Sequence, residues 1–181
     1  MDDAILRSDL VVLEALDGQI GLIEEGIAVL ANEDPQVRLL MTMTSVGYFS
    51  AMLLLAEIGD INRFSSDKRL ASWAGLAPSV RQSGEKIRIG GVSGPGNKRV
   101  RWLMVQCAHS ACRFDPRLRG FYERYSKRRG SKKAVVAVAH EMIRIVFFML
   151  KRGETYRGER KGVTERKLMN LERMALNGLR N

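Results

Sequence analysis

The chain has 181 residues, 45% of them hydrophobic, which fits one ordinary domain with a helical appendage and excludes wholesale disorder. Its formal net charge is +10, laid out very unevenly: residues 1–80 hold five Lys and Arg against twelve Asp and Glu, residues 81–181 twenty-five against eight. A half with net charge +17 beside a half with −7 implies a polyanionic partner at the basic end and disfavours a membrane surface, because no basic face is paired with exposed aromatics.

Residues 4–32 read as one long helix. Leu13, Leu16, Ile20, Ile23, Ile27 and Leu30 follow at steps of 3, 4, 3, 4 and 3, the seam of a coiled coil or helical hairpin, with Glu14, Asp17, Glu24 and Glu25 on a solvated face. Asn32 to Pro35 break it. A second helix is expected from Pro35 through Met43, then a corner Thr44-Ser45-Val46-Gly47, then a helix that includes Ser50–Ile58 and stops at Gly59. Helix, short Gly-containing turn and helix is the pattern of a helix-hairpin-helix, in which turn amides around Gly47 grip a phosphate. On spacing a plain helical hairpin with a tight corner is slightly favoured, because the usual Gly-hydrophobic-Gly corner is Ser45-Val46-Gly47 here and one glycine is missing. Ser65 or Ser66 should cap a short helix over 67–73.

The character changes over 79–97. Five glycines between Gly84 and Gly96 exclude a regular helix, and Lys86-Ile87-Arg88-Ile89 alternates as one strand of a small hairpin would. Asn97 can cap the next helix, whose inward face is Val100, Leu103, Met104, Cys107 and Ala111. Lys98, Arg99 and Arg101 crowd its first turn, against the helix dipole unless an anion sits there. A helix starts at Asp115-Pro116 and reaches Tyr125, a basic run 127–133 follows, and another helix spans about 134–151, ending before Gly153. Val163–Leu179 is a basic amphipathic segment with the least order of its own. The expected organisation is a coiled-coil or linker helix over 1–34, a domain over 35–153 and a basic tail helix over 154–181. The fold class is all-α with one Gly-rich hairpin.

Chemistry-bearing patterns are few. Cys107, Cys112, His109 and His140 lack the spacing of a disulfide scaffold or zinc site and read as core or helix-surface residues. Residues 90–98 neither follow a buried strand nor end in Gly-Lys-Ser/Thr, which excludes a nucleotide-hydrolase phosphate loop. Glu57, Asp60 and Asp67 read as helix-end and loop carboxylates rather than a two-metal set. The remaining cluster is Arg81-Gln82-Ser83-Gly84 with Lys86 and Arg88. A serine attacks phosphorus when its proton is removed and the phosphate charge neutralised, and three cations within eight residues meet the second need. Glu85 is the only nearby base, and a Ser-Gly in a loop is also an ordinary turn. The acidic start at Asp2 and Asp3 lacks a leader pattern, and the longest apolar stretch, near 135–150, is broken by His140, Glu141 and Arg144. A bacterial or archaeal cytoplasmic location is expected.

One ordered series of residues resembles a known family. Leu39-Leu40, Thr44-Ser45-Val46-Gly47, Ala56-Glu57-Ile58-Gly59-Asp60, Gly75-Leu76-Ala77-Pro78, Gln82-Ser83-Gly84, Gly90-Gly91-Val92-Ser93, Gly96-Asn97, Arg99 and Arg101 follow one another as in the C-terminal transposase domain of the insertion-sequence-110 family, the 116/110/902 group. The resemblance spans about 37–153. It implies a DNA transposase or recombinase whose serine nucleophile falls on Ser83. It also implies an RNase H-like acidic domain that holds Mg2+ and is not in this stretch, a structured guide RNA beside the DNA, and a homodimer or higher oligomer joined partly by a coiled coil. Arg81, Lys86, Arg88, Lys98, Arg99 and Arg101 are candidate nucleic-acid contacts by charge, and no metal ligand is expected in this chain. The rival readings are a non-catalytic nucleic-acid-binding module and an oligomerisation remnant.

Overall fold

In the computed structural model of the chain, local signals set most boundaries. The structure describes the backbone of residues 2–83, 86–92 and 96–180, and the side chains of these apart from residues 2 and 78–95. Residues 2–33 contain no proline, and α1 runs unbroken over Asp2–Glu33. Asp34 ends it and caps α2 (Pro35–Leu40), its carboxylate accepting from Gln36 N at 2.7 Å, while Pro35 occupies a position where its missing N–H costs nothing. After a corner, α3 (Tyr48–Ile58) stops at Gly59, whose φ of 59° few other residues adopt. Asp60 caps a 3₁₀ turn over Ile61–Arg63, and the Ser66 hydroxyl caps α4 (Asp67–Trp73) by accepting from Arg69 N. Asn97 caps α5 (Lys98–Phe114) through Val100 N at 3.0 Å. Buried Asp115 caps α6 (Pro116–Arg129) through Arg117 N and Leu118 N. The last two helices are α7 (Ser131–Arg152) and α8 (Lys161–Gly178).

Among the described residues the fold is therefore all-α, interrupted by one antiparallel pair, β1 (Pro78–Ser83) and β2 (Lys86–Val92). Two helix ends differ from the sequence expectation. The second helix ends at Leu40 rather than near Met43. The basic run 127–129 continues α6, where cations favour the negative end of the helix dipole, and Gly130 with φ 82° separates it from α7.

The core is built around α7, which packs against α4, α5 and α6 and buries Val138, Ala139, Met142, Ile143 and Val146. Arg144 on its flank reaches Asp67 at the start of α4 at 2.5 Å and Glu141 at 3.1 Å. Burial pushes the Asp67 carboxyl up, but the hydrogen bond and charge of Arg144 outweigh it and leave the group below the usual carboxylate range. The C-terminal third of α1 lies along α8, where Ala28, Ala31, Leu171 and Ala175 are fully or almost fully buried in the common core. Gly178 lets the helices meet: a Cβ there would stand 2.8 Å from Glu25 O. The N-terminal two thirds of α1 touches nothing comparable, and Leu13, Leu16, Ile20 and Ile23 are exposed. Among the described residues no helix is long and apolar enough to cross a membrane.

Candidate nucleic-acid interface

The ribbon's register brings the serine and its cations together. Ser83 pairs with Lys86 and Arg81 with Arg88, while Gln82 pairs with Ile87. Cross-strand partners share a face and alternate residues share a face, so Ser83, Arg81, Lys86 and Arg88 occupy positions on one side of the ribbon. Gly84 and Glu85, which join the strands, lie outside the described residues.

The ribbon is pinned where it leaves and rejoins the helices. Asn97 N donates to Trp73 O at 2.8 Å, and Gly96, with φ 141°, lies against the Gly75 backbone. This neck ties the C-terminus of α4 to the N-terminus of α5. Beyond it, five residue steps carry Ser83 about 17 Å from Pro78.

Cations also stand at the start of α5. Lys98 and Arg99 are exposed there, and Arg101 is half-buried with its guanidinium packed over Gly75. Glu57, from the end of α3, offsets part of this charge: it accepts from Asn97 Nδ2 at 2.7 Å and Arg99 Nη1 at 3.2 Å. The Asn97 hydrogen bond, then that of Arg99, hold its carboxyl below the usual range. Asp60 accepts from Asn62 N at 2.8 Å and Asp67 is held by Arg144. The three carboxylates weighed as a metal set are thus engaged separately, and no group of three metal-ligating side chains occurs among the described residues. Cys107 is buried, which pushes its thiol pKa up. His140 is half-buried, which pulls its pKa down.

Gly47 is the N-cap of α3. The corner before it is organised from within by a residue that spacing could not single out. Lys167 of α8 donates from Nζ to Met41 O, to Met43 O at 2.7 Å and to Val46 O at 2.9 Å. Turning these carbonyls toward one ammonium accounts for the early end of α2. Buried Thr42 adds a second tie, accepting from Tyr156 N at 2.9 Å and donating to Leu39 O. The N-terminal amides of α3 have no intrahelical acceptors, and no side chain of the N-cap residue takes one of them.

Residues 37–123 match the model of the transposase IS116/IS110/IS902 family. Among curated proteins, the chain is 30% identical over 145 residues to a transposase for insertion sequence element IS1111A of Coxiella burnetii, covering 78% of this chain and 40% of that protein. It is 31% identical over 155 residues to the insertion element IS110 uncharacterized 43.6 kDa protein of Streptomyces coelicolor, covering 85% and 38%. A probable family 20 transposase of Pseudomonas aeruginosa is 28% identical over 150 residues, covering 80% and 44%. The chain spans about two fifths of the length of these relatives. The matched segment carries the corner, the neck, the serine ribbon and the cationic start of α5, and through it this chain belongs to the IS116/IS110/IS902 transposase family.

Proposed function

We propose that this chain is the serine-bearing part of a DNA transposase, which binds nucleic acid through its basic half and joins a DNA strand to Ser83. The observation that carries the reading is the register of the ribbon, with Ser83, Arg81, Lys86 and Arg88 at positions on one face. In the reaction, the serine Oγ forms a bond to phosphorus while the bond from phosphorus to the neighbouring nucleotide's oxygen breaks. The hydroxyl proton passes to a base and the departing oxygen is protonated, so no oxidant or reductant is needed. The three cations neutralise the phosphate as charge builds on it. Mg2+ and its acidic ligands belong to a separate domain. Lys98, Arg99 and Arg101 hold the strand beyond the ribbon, and Gly47 with the α3 amides grips a further phosphate. A structured guide RNA is a second partner of the same basic surface.

The apolar seam of α1 favours a second function for the same chain. Leu13, Leu16, Ile20 and Ile23 are exposed on a helix whose end alone is packed, and a second copy supplies the missing partner in a homodimer or higher oligomer.

Binding to DNA should fall steeply with salt, because each neutralised phosphate releases counterions. Titrations of labelled duplex by anisotropy between 50 and 200 mM salt, about the range over which such contacts are read, should give a log–log slope that drops by about 2–3 when Arg81, Lys86 and Arg88 are all changed to Ala. An unchanged slope would remove the ribbon from the interface.

A further inference from the structure

Beside the neck lies an open groove of about 940 Å3 that the serine chemistry does not use. It is lined by Arg63, Ser65, Arg69, Ser72 and Trp73, with Gly96 and Asn97 at its rim. Its floor is a cluster of two tilted aromatic rings and a guanidinium. The Phe64 and Trp73 rings meet at 5.3 Å between centroids, tilted by 59°. The Arg63 guanidinium lies over both, 4.7 Å from the Phe64 centroid and 5.0 Å from that of Trp73. Arg63 Nη2 also donates to Glu57 O at 3.4 Å, which orients the guanidinium. Phe64 is buried and Trp73 half-buried, so the platform is anchored in the core while its outer side faces the groove.

The chemistry of this surface is specific in kind. A guanidinium plane backed by an indole is a stacking surface for a nucleobase, and stacking tolerates any base because every base has a π-face. Arg69 is exposed and makes no ion pair among the described residues, so its charge is available for a phosphate. The Ser65 and Ser72 hydroxyls add donors and acceptors along the same wall. Bases within a duplex are already stacked on their neighbours, so such a platform selects an unpaired one.

We propose that this groove holds one unpaired nucleotide of a bound strand, its base stacked on the Arg63–Trp73 platform and its phosphate against Arg69. The inference rests on the reading of the chain as a nucleic-acid-binding protein. It adds a site at the foot of the ribbon, whose strand β1 spans about 17 Å from Pro78 to Ser83, so the nucleotide held there lies several positions along the nucleic-acid strand from the reacting one.

Trp73 is its own reporter. The other tryptophan, Trp102, is 59% exposed on α5, and Trp102→Phe leaves Trp73 as the single indole. The 181-residue chain carrying that change would be titrated with oligo-dT, oligo-U and a duplex of equal length, reading Trp73 emission and, in parallel, anisotropy of the labelled oligomers. The expected result is saturable quenching by a single strand and much less by the duplex. Arg63→Ala should weaken single-strand binding about tenfold, and Arg63→Lys should restore little of it, because the charge returns without the plane. Arg69→Ala should lower the salt slope by about 1 and leave the quenching at saturation intact. A response to oligo-dT alone or oligo-U alone supports the site and names the strand it serves. Single-strand binding by anisotropy without quenching, or equal affinity for Arg63→Lys and the parent, would overturn the stacking site while leaving the nucleic-acid reading standing. No binding of any oligomer would overturn both.

Discussion

Gly96→Ala should lower stability by about 3–5 kcal/mol and the melting temperature by about 8–15 °C. Two costs combine. The backbone there has φ 141°, a region few L-residues enter, and the new methyl would stand 2.5 Å from Gly75 Cα and 2.6 Å from Gly75 N. Neither neighbour is the end of a flexible side chain, so relief requires the neck to open. The hydrogen bond from Asn97 N to Trp73 O would be strained with it, and the ribbon would lose its fixed base. Gly120 provides the contrast. It lies within α6 with nothing near the position of an added Cβ, and Gly120→Ala should stabilise by about 0.5–1 kcal/mol. Urea unfolding of both variants reads the difference directly, and equal, small effects at the two sites would contradict the packed neck.

Lys167→Met should destabilise the chain at pH 7 by about 2–4 kcal/mol, because Met41 O, Met43 O and Val46 O lose their shared donor inside the fold. That loss is net of the relief from no longer burying a charge. The pH dependence separates the two contributions. Burial pulls the Lys167 ammonium down to about 8, with Glu159 opposing it only in part. An unfolded lysine titrates near 10.4. Between these values the unfolded chain binds more protons, so this group makes stability rise with pH from about 8 to about 10.4 and adds nothing below 8. The methionine variant lacks that rise. The parent's advantage over the variant should therefore widen by up to about 3 kcal/mol across the window. Chemical unfolding of both proteins at pH 7.5 and 9.5 (about half the window) checks the sign. An advantage that stays constant or narrows would mean that the three carbonyls hold the ammonium charged despite its burial.

These two positions also mark how far the sequence could be read. Boundaries governed by neighbours in the chain were legible: Ser66, Asn97 and Asp115 accept from amides two or three residues on, and Pro35, Gly59 and Gly153 sit where helices start or stop. The inward face of α5 followed from its period, and Val100, Leu103, Met104, Cys107 and Ala111 are all buried. The resemblance singled out Ser83, and charge singled out the cations around it. The pairing that sets these residues on one face was not legible, because β1 carries no alternation of apolar and polar residues and begins with a proline. Lys167 looked like one of many cations on a basic helix. Its partners lie 121–126 residues away, beyond any local pattern. The Arg63–Trp73 stack is hidden for the same reason on a smaller scale, since a turn and a helix must first fold to bring residues ten apart into contact. The basic run 127–129 misled because consecutive charges suggest a loop, whereas at the end of a helix they meet a favourable dipole.

The most direct test of the central claim is a covalent-adduct assay. The chain would be mixed with DNA from the end of an insertion element of this family, guide RNA and Mg2+, with and without a separately supplied acidic domain, and run on a denaturing gel. The account predicts a shifted protein–DNA band when the acidic domain is present, absent in Ser83→Ala while salt-dependent DNA binding is retained. Tight binding with no adduct in any mixture, or an adduct that survives Ser83→Ala, would contradict it.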